Sequence, residues 1–298
     1  VCKRMGGGFG GKETQAAIPA VMAALAASKT GRPARVAYTK DDDMRCTGKR
    51  HPYKIHYKAA FTSKGEIKGV RFDIYSNGGA AADLSSSVLE RTLFHSDNAY
   101  YIPNLIFNGV VCKTNFPPNT AFRGFGGPQG MANIENVIQE IAIFLKKDAL
   151  EIRRLNCYAN RGRNITPYGQ VVKNHILPEI LDQLAKTSQY KKRMKRVEEF
   201  NRKSKTHLRG LALTPMKFGI SFTTTFLNQG NALVNIFRDG TIQVSTGGTE
   251  MGQGLNTKIR QLVADEFAIS YHDVKLMITS TEKNNNAPPT AGSASTGL

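Results

Sequence analysis

The sequence predicts an α+β protein made of two mixed subdomains, and its length, composition and order of patterns carry this prediction. At 298 residues the chain is long enough for one large domain, or two packed ones, with a sizeable core. Hydrophobic residues make up 40% and charged residues 21%, as in globular proteins. Strand and helix patterns follow one another without a regular strand–helix–strand repeat, which favours α+β over a doubly wound parallel sheet.

The first half contains a helix, a hairpin and further strands and helices. Residues 13–28 are small and apolar, which predicts a buried helix with an irregularity at Pro19. Residues 53–62 and 66–76 have alternating apolar positions on both sides of a turn at 63–65, which predicts a hairpin. The other elements predicted here are strands at 34–40 and 103–113, a short helix at 41–45, and helices at 130–146 and 148–158.

A change in character at 159–206 predicts a segment that connects two subdomains. Its first part, around Arg161, Pro167 and Gly169, is irregular, and helices are expected at 177–188 and 190–204. The predicted divisions are therefore 1–158, 159–206 and 207–298, with the first subdomain truncated at its start and the second at its end. The last subdomain is predicted to contain strands at 208–217, 231–237, 241–246 and 273–280, a helix at 253–267, and an irregular end from 284.

The net charge is +18, and basic residues crowd into the stretch from 186 to 209. We interpret this stretch as a solvated helical face, which is the usual structure of such a charge run. A basic nucleic-acid-binding module is the alternative from another functional class. Its affinity for duplex DNA would fall steeply with salt concentration.

The four cysteines are isolated from one another along the chain. No Cys-x-x-Cys pair predicts a zinc site, an iron–sulfur cluster or a thioredoxin-like site, and free cysteines of this kind are typical of a reducing cytoplasm. No apolar run has the length of a membrane span, and the first residues lack the apolar core of a signal peptide. We therefore predict a cytoplasmic protein that does not enter a membrane.

Three glycine-rich loops, at 6–11, 124–127 and 247–254, each precede a predicted helix. Glycine lets backbone N–H groups approach a ligand closely, and the free N–H groups at a helix start attract anions. Tight turns are the structural alternative for any one loop. Three loops of the same kind predict a large ligand with many polar edges, such as a phosphorylated or pyrophosphorylated cofactor.

The first loop also has the spacing of a nucleotide-binding P-loop, with Gly6, Gly11 and Lys12 at the required positions. In that motif the next residue is Ser or Thr, whose hydroxyl holds magnesium. Here it is Glu13, whose carboxylate would repel phosphate groups. The sequence therefore argues against a nucleoside triphosphatase.

Six segments closely resemble, in order and approximate spacing, the molybdopterin-binding part of the xanthine dehydrogenases, in the xanthine oxidase family of molybdenum hydroxylases. They are 6–13 (GGGFGGKE), 89–98 (LERTLFHSDN), 119–129 (NTAFRGFGGPQ), 217–229 (KFGISFTTTFLNQ), 247–254 (GGTEMGQG) and 289–295 (PTAGSAS). The resemblance covers essentially the whole chain. It implies the two mixed subdomains of the molybdenum-cofactor-binding domain of that family.

The resemblance implies a molybdenum–molybdopterin cofactor in its sulfido form, with the metal held through the pterin and not by a protein ligand. Phe9, Gly10 and Arg123 would lie around the metal, with Gly292 also close to it. The pterin and the rest of the cofactor would be held by Met251, Gly252, Gln253, Thr290, Ser293 and Ser295. Glycine loops and hydroxyl groups suit such a ligand because they supply donors without bulk.

The resemblance also implies a purine pocket. Glu13 and Arg91 match a Glu and an Arg of xanthine dehydrogenases, whereas aldehyde oxidases carry apolar residues there. Phe125 and Phe222 match the two phenylalanines that sandwich the substrate, one by its face and one by its edge. The remaining expected pocket residues are Thr223 in the cavity and Leu84 and Leu227 on its rim. Hydroxylation of aldehydes or of another N-heterocycle stays open as the alternative within the family.

In this family a molybdenum-bound hydroxide attacks a carbon of hypoxanthine or xanthine and hydride passes to the sulfido ligand, which leads toward urate. Arg91 would stabilise the negative charge that develops on the purine, and Glu13 would hydrogen-bond to its ring. The family's base glutamate is not among these 298 residues, so we expect this chain alone to be inactive. The resemblance further implies 2Fe-2S clusters and FAD on other domains or subunits, NAD as final acceptor, and a homodimeric assembly.

Overall fold

The computed structural model describes residues 3–284, 287, 289–292 and 294–297, and its two mixed layers of sheet and helix confirm the α+β class. The strands are β1 (Tyr53–Phe61), β2 (Ile67–Gly79), β3 (Leu105–Lys113), β4 (Ala232–Ile236), β5 (Ile242–Thr246) and β6 (Val274–Leu276). The helices are α1 (Ala17–Thr30), α2 (Lys40–Cys46), α3 (Ser85–Phe94), α4 (Gly127–Leu145), α5 (Ala149–Asn156), α6 (Leu177–Thr187), α7 (Tyr190–Lys203), α8 (Leu255–Glu266) and α9 (Ala294–Gly297).

The two sheets have the same topology. In the first, β1 pairs antiparallel with β2, and β3 lies parallel to β2 on its other side. In the second, β4 pairs antiparallel with β5, and β6 lies parallel to β5. A parallel pair needs a crossover connection, which α3 supplies in the first sheet and α8 in the second. Each sheet thus contains one strand–helix–strand unit that the sequence pattern did not reveal.

Helix α4 forms the centre of the first core. Its buried apolar residues Ile134, Val137, Ile138 and Ile141 recur at helical spacing, so one stripe of the helix faces the sheet. Phe72 of β2 is fully buried among them. The second core, between α8 and the smaller sheet, is built on Ile242, Val244, Leu255, Ile259, Ala264 and Val274. The first core also includes Leu181 and Tyr190, so the 159–206 segment packs against it.

Two predicted strands, at 34–40 and 208–217, are wrong. Neither segment pairs with another strand among the described residues. In the second segment Leu211 and Leu213 pack against the first core, which accounts for the alternating pattern without a sheet. Extended backbone becomes a strand only when a neighbour accepts its hydrogen bonds.

The helix predicted at 13–28 is present in part, but the prediction that it is buried is wrong. The segment begins as one 3₁₀ turn, Gly11–Glu13, and the α-helix starts at Ala17. Pro19 therefore lies in the first turn, where its missing N–H breaks no helical hydrogen bond. No residue of α1 is buried, and Val21 is 65% exposed. The apolar content of α1 thus has no cover in the described part of the chain.

The basic stretch begins at the C-terminal end of α6 and contains all of α7. Tyr190 is the buried residue of α7, and the lysines and arginines that follow it are exposed along the helix. The structure therefore places the predicted charge run on a solvated helical face. None of the described helices is long and apolar enough to cross a membrane.

Candidate active site

The first and third glycine loops lie against each other. Met5 N–H donates to the Glu250 carbonyl over 2.9 Å, which joins the start of the first loop to the third. A Cβ added to Gly8 would lie 2.9 Å from Met251 Sδ, so only glycine fits at this contact without displacing that side chain. The two loops, nearly 250 positions apart in sequence, therefore form one surface.

The second loop joins the same surface. Gly10 has φ +98°, and a Cβ there would lie 3.0 Å from the Ala121 backbone. Phe9 has φ +50°, and the guanidinium carbon of Arg123 lies 5.9 Å from its ring centroid. The close approach of backbone to backbone explains why Gly10 is needed where the first two loops meet.

A central cavity of about 650 Å³ opens between these loops. The expected site residues that line it are Phe9, Gly10, Glu13, Arg91, Arg123, Phe125, Phe222, Met251, Thr290 and Gly292. Leu84, Thr223, Leu227, Gly252, Gln253 and Ser295 are not in its wall, and Ser293 lies outside the described residues. The wall also contains Phe218, Gly219, Ile220 and Ser221, to which sequence reasoning assigned no role although they lie in the 217–229 motif. Both subdomains contribute to one cavity.

Glu13 lies at the end of the 3₁₀ turn behind the first loop. Its Oε2 is buried and has no hydrogen-bond partner among the described residues. Burial, followed by the nearby charge of Asp83, raises the pKa of Glu13 to about 7. A carboxyl group with this pKa is partly protonated near neutral pH and can donate a hydrogen bond to a ligand.

Asp83, which sequence reasoning did not single out, connects the segments around Glu13. It follows β2, and its carboxylate accepts hydrogen bonds from Thr14 Oγ1 at 2.9 Å, Gln15 Nε2 at 3.0 Å and Thr120 Oγ1 at 2.6 Å. These donors belong to the segments behind the first loop and before the second. One carboxylate therefore holds both segments beside the start of α3.

Replacing Glu13 by Gln is expected to weaken the pH dependence of the unfolding free energy. Between about pH 4.5 and 7 the folded protein retains a proton that the unfolded chain has released, so stability falls as the pH rises through this range. Glutamine stays neutral and removes this contribution. Denaturant unfolding below pH 4.5 and above pH 7 measures the change.

The matched control for this prediction is Glu151→Gln, on the exposed pair with Lys147. Comparison with the unchanged protein cancels the contributions of the other titrating groups. An equal pH dependence in Glu13→Gln and the unchanged protein would contradict the assignment of a raised pKa to Glu13.

Arg91 lies on the last turn of α3 and is 7% exposed. Its Nη1 donates to the Gly219 carbonyl at 2.8 Å, its Nη2 donates to the Ser221 carbonyl, and its buried Nε has no partner within the described part of the chain. The guanidinium also lies over the Phe218 ring at 5.7 Å. Arg91 thus binds the backbone of the 217–222 segment and also lines the cavity.

Phe125 and Phe222 come from different subdomains and contact each other. Their ring centroids are 5.3 Å apart with an interplanar angle of 58°. A flat ligand stacked between two rings needs about 7 Å, twice the carbon–carbon contact distance. The Phe222 backbone is fixed by Asn228, whose Oδ1 accepts from the Phe222 N–H at 2.7 Å and whose Nδ2 donates to the Phe222 carbonyl at 2.9 Å.

The third loop is organised by its own side chains. The Glu250 carboxylate accepts from the N–H groups of Gly252 at 2.8 Å, Gly254 at 3.2 Å and Asn256 at 2.9 Å. The glycine loop before α8 predicted an anionic ligand for these amides. In the structure, the Glu250 carboxylate of the same loop is their partner. Gln253 similarly folds back, with its Oε1 accepting from Met251 N–H at 2.6 Å.

Comparison with known proteins identifies the family. Models of the molybdopterin cofactor-binding domain match residues 1–157 and 183–298. The chain is 48% identical to xanthine dehydrogenase of Oryza sativa subsp. japonica over 100% of its length, and 48% identical to xanthine dehydrogenase/oxidase of Rattus norvegicus over 99%. It spans 22% of the length of each of these curated relatives.

Solved structures agree in fold. The aldehyde oxidoreductase from Desulfovibrio desulfuricans superposes with a TM-score of 0.79 at 25% identity, covering 97% of this chain and 31% of that one. The aldehyde oxidoreductase from Desulfovibrio gigas has a TM-score of 0.79 at 26% identity, with the same coverage. The chain therefore belongs to the molybdopterin cofactor-binding domain family.

Proposed function

We propose that this chain forms the cofactor-binding and purine-binding surfaces of a molybdenum hydroxylase of the xanthine dehydrogenase type, which oxidises hypoxanthine or xanthine toward urate. The observation that carries the proposal is the position of Glu13, Arg91, Phe125 and Phe222 in one cavity beside three glycine loops. An acid, a guanidinium and two aromatic rings provide the polar and stacking contacts that a flat, nitrogen-rich ring requires.

The residues of the cavity fit a molybdopterin cofactor. Gly8 and Gly10 keep side-chain bulk out of the junction between loops, and Thr249 N–H donates at 2.9 Å to Thr290 Oγ1, which brings a hydroxyl group to the same surface. The cofactor would be held by the expected residues that line the cavity, which are Phe9, Gly10, Arg123, Met251, Thr290 and Gly292. When bound, the molybdenum centre supplies the redox chemistry of hydroxylation.

The side chains of this chain would bind and orient the purine. Glu13, whose pKa is raised to about 7, donates a hydrogen bond to a ring nitrogen or oxygen while it is protonated. Arg91 keeps its positive charge and stabilises negative charge that develops on the ring during reaction. Phe125 and Phe222 separate to admit the flat ring and exclude water from its faces.

The remaining parts of the reaction require other parts of the enzyme. We propose that 2Fe-2S and FAD domains or subunits accept the electrons, that NAD is the final acceptor, and that the full assembly is a cytoplasmic homodimer. These proposals rest on the family resemblance. Hydroxylation of an aldehyde or another N-heterocycle by the same site is the alternative function.

Metal analysis and turnover of the natively purified full-length protein test this function. We expect molybdenum in stoichiometric amount and formation of urate from xanthine. Oxidation of aldehydes without oxidation of purines would favour the alternative substrate class. A protein that carries no molybdenum after native purification would overturn the cofactor assignment.

A further inference from the structure

The segment 217–222 forms one wall of the central cavity, yet it contains neither helix nor strand. It belongs to the region matched by the second family model, whereas Arg91 and Phe125 belong to the region matched by the first. The geometry of the cavity therefore depends on what fixes this segment to the first subdomain. Besides Arg91, other residues of the 89–98 motif contact this segment.

His95, directly after α3, bonds to the middle of this segment. The Gly219 N–H donates to His95 Nε2 at 3.0 Å, and His95 Nδ1 lies 2.8 Å from the Arg91 carbonyl. Because a carbonyl oxygen can only accept, Nδ1 carries the proton and Nε2 is the acceptor. The ring is 3% exposed, and burial lowers the pKa of His95 to about 4, so both bonds persist at neutral pH.

Asp97 and Asn98 bond to the beginning of the segment. The Asp97 carboxylate pairs with Lys217 Nζ. Asn98 Oδ1 accepts from Lys217 N–H at 3.0 Å, and Asn98 Nδ2 donates to the Pro215 carbonyl at 3.0 Å. Asp97 and Asn98 are each 1% exposed. We call His95, Asp97 and Asn98 the latch.

We propose that the latch is a set of positioning residues that holds segment 215–219 of the second subdomain against the end of α3 and so directs Arg91 and Phe222 into one cavity. The latch and Arg91 bind consecutive backbone groups: the Gly219 N–H to His95 and the Gly219 carbonyl to Arg91. Loss of the latch leaves Arg91 as the remaining polar contact of α3 with Gly219. The effect of losing the latch on purine turnover rests on the proposed function. Its effect on the position of segment 215–219 does not.

Amide hydrogen exchange of the full-length protein tests the latch directly. In His95→Phe, which keeps a ring beside Phe218 but removes the acceptor, we expect exchange in residues 217–222 to rise about tenfold. His95→Gln, which restores an acceptor oxygen, should return part of the protection. For xanthine, KM should rise more than kcat falls, because the wall that binds the ring is loosened.

Ser96→Ala is the matched control. It removes the buried 2.8 Å bond from Ser96 Oγ to the Thr92 carbonyl but no bond of the latch or of segment 215–219, so exchange there should not change. Should His95→Phe fail to fold, Asn98→Ala gives the same test, since it removes the bonds to Lys217 and Pro215, together with one to Glu135. Unchanged exchange at 217–222 in the folded latch variant, or an equal rise in Ser96→Ala, would overturn the proposal. Faster exchange in the latch variant, combined with no purine oxidation by the unchanged protein, would support the latch and contradict only the proposed function.

Discussion

Replacing Glu13 by Val and Arg91 by Met together in the full-length protein is expected to lower kcat/KM for xanthine by about 10²- to 10³-fold, the usual effect of removing a group that stabilises transition-state charge. Both side chains line the cavity, and both would be replaced by apolar groups of the kind the resemblance implies for aldehyde oxidases. A ring carbon that accepts an oxygen nucleophile places negative charge on the purine. Without the guanidinium this charge has no cationic partner from α3.

Aldehyde turnover by the same double variant is the internal control. An aldehyde develops its charge at one carbonyl and does not need contacts at a distant ring edge, so its kcat/KM should be largely retained. Arg91 also binds the Gly219 carbonyl, and a loss caused by disorder of that segment would affect both substrates. Equal loss for xanthine and aldehyde would therefore contradict purine recognition by Glu13 and Arg91.

The elements predicted well from sequence are those whose signals are local. The hairpin of β1 and β2 follows from alternation around a turn, where Gly65 N–H donates to the Thr62 carbonyl at 2.8 Å. Helix α2, predicted at 41–45, begins after Thr39, whose side chain forms a capping box with Asp42. Helix α4 follows from its apolar spacing and from the glycines before it. Each of these signals lies within a few residues of the structure that it predicts.

The failures require information that local patterns do not contain. Residues 34–40 have strand composition but no partner strand among the described residues, and α1 has the composition of a buried helix without a cover there. Apolar content predicts that a segment must be covered, but it does not identify the covering surface. Whether a cover is present depends on contacts that composition does not specify.

The candidate site shows the same contrast between what sequence patterns reveal and what depends on contacts between distant residues. Glu13, Arg91 and Phe125, which the motifs single out, line one cavity. The role of Asp83, the bonds of Arg91 to the 217–222 segment and the latch depend on contacts between residues 37 to 130 positions apart. Such contacts appear only when the packing of α3 against the loops is known.

Gly126→Ala is expected to destabilise the first subdomain by more than about 4 kcal/mol, a size reserved for exceptional substitutions. Gly126 has φ +95°, and its Cβ would lie 2.0 Å from the Val88 carbonyl oxygen and 2.8 Å from Thr92 Oγ1. The Thr92 hydroxyl donates to the Gly126 carbonyl at 2.9 Å, so the two segments are bonded at the point of the clash. Relief requires α3 to move away from α4, which would separate Arg91 from Phe125.

Gly169→Ala isolates the cost of backbone conformation from the cost of this clash. Gly169 has φ +85°, close to that of Gly126, but a Cβ there meets nothing within 4 Å. A left-handed alanine in open space costs about 1 to 2 kcal/mol. The difference between the two variants in denaturant unfolding therefore measures how tightly α3 is held against the second loop. If Gly126→Ala unfolds at the same denaturant concentration as Gly169→Ala, the contact of α3 with the second loop yields readily, and this junction does not fix the geometry of the cavity.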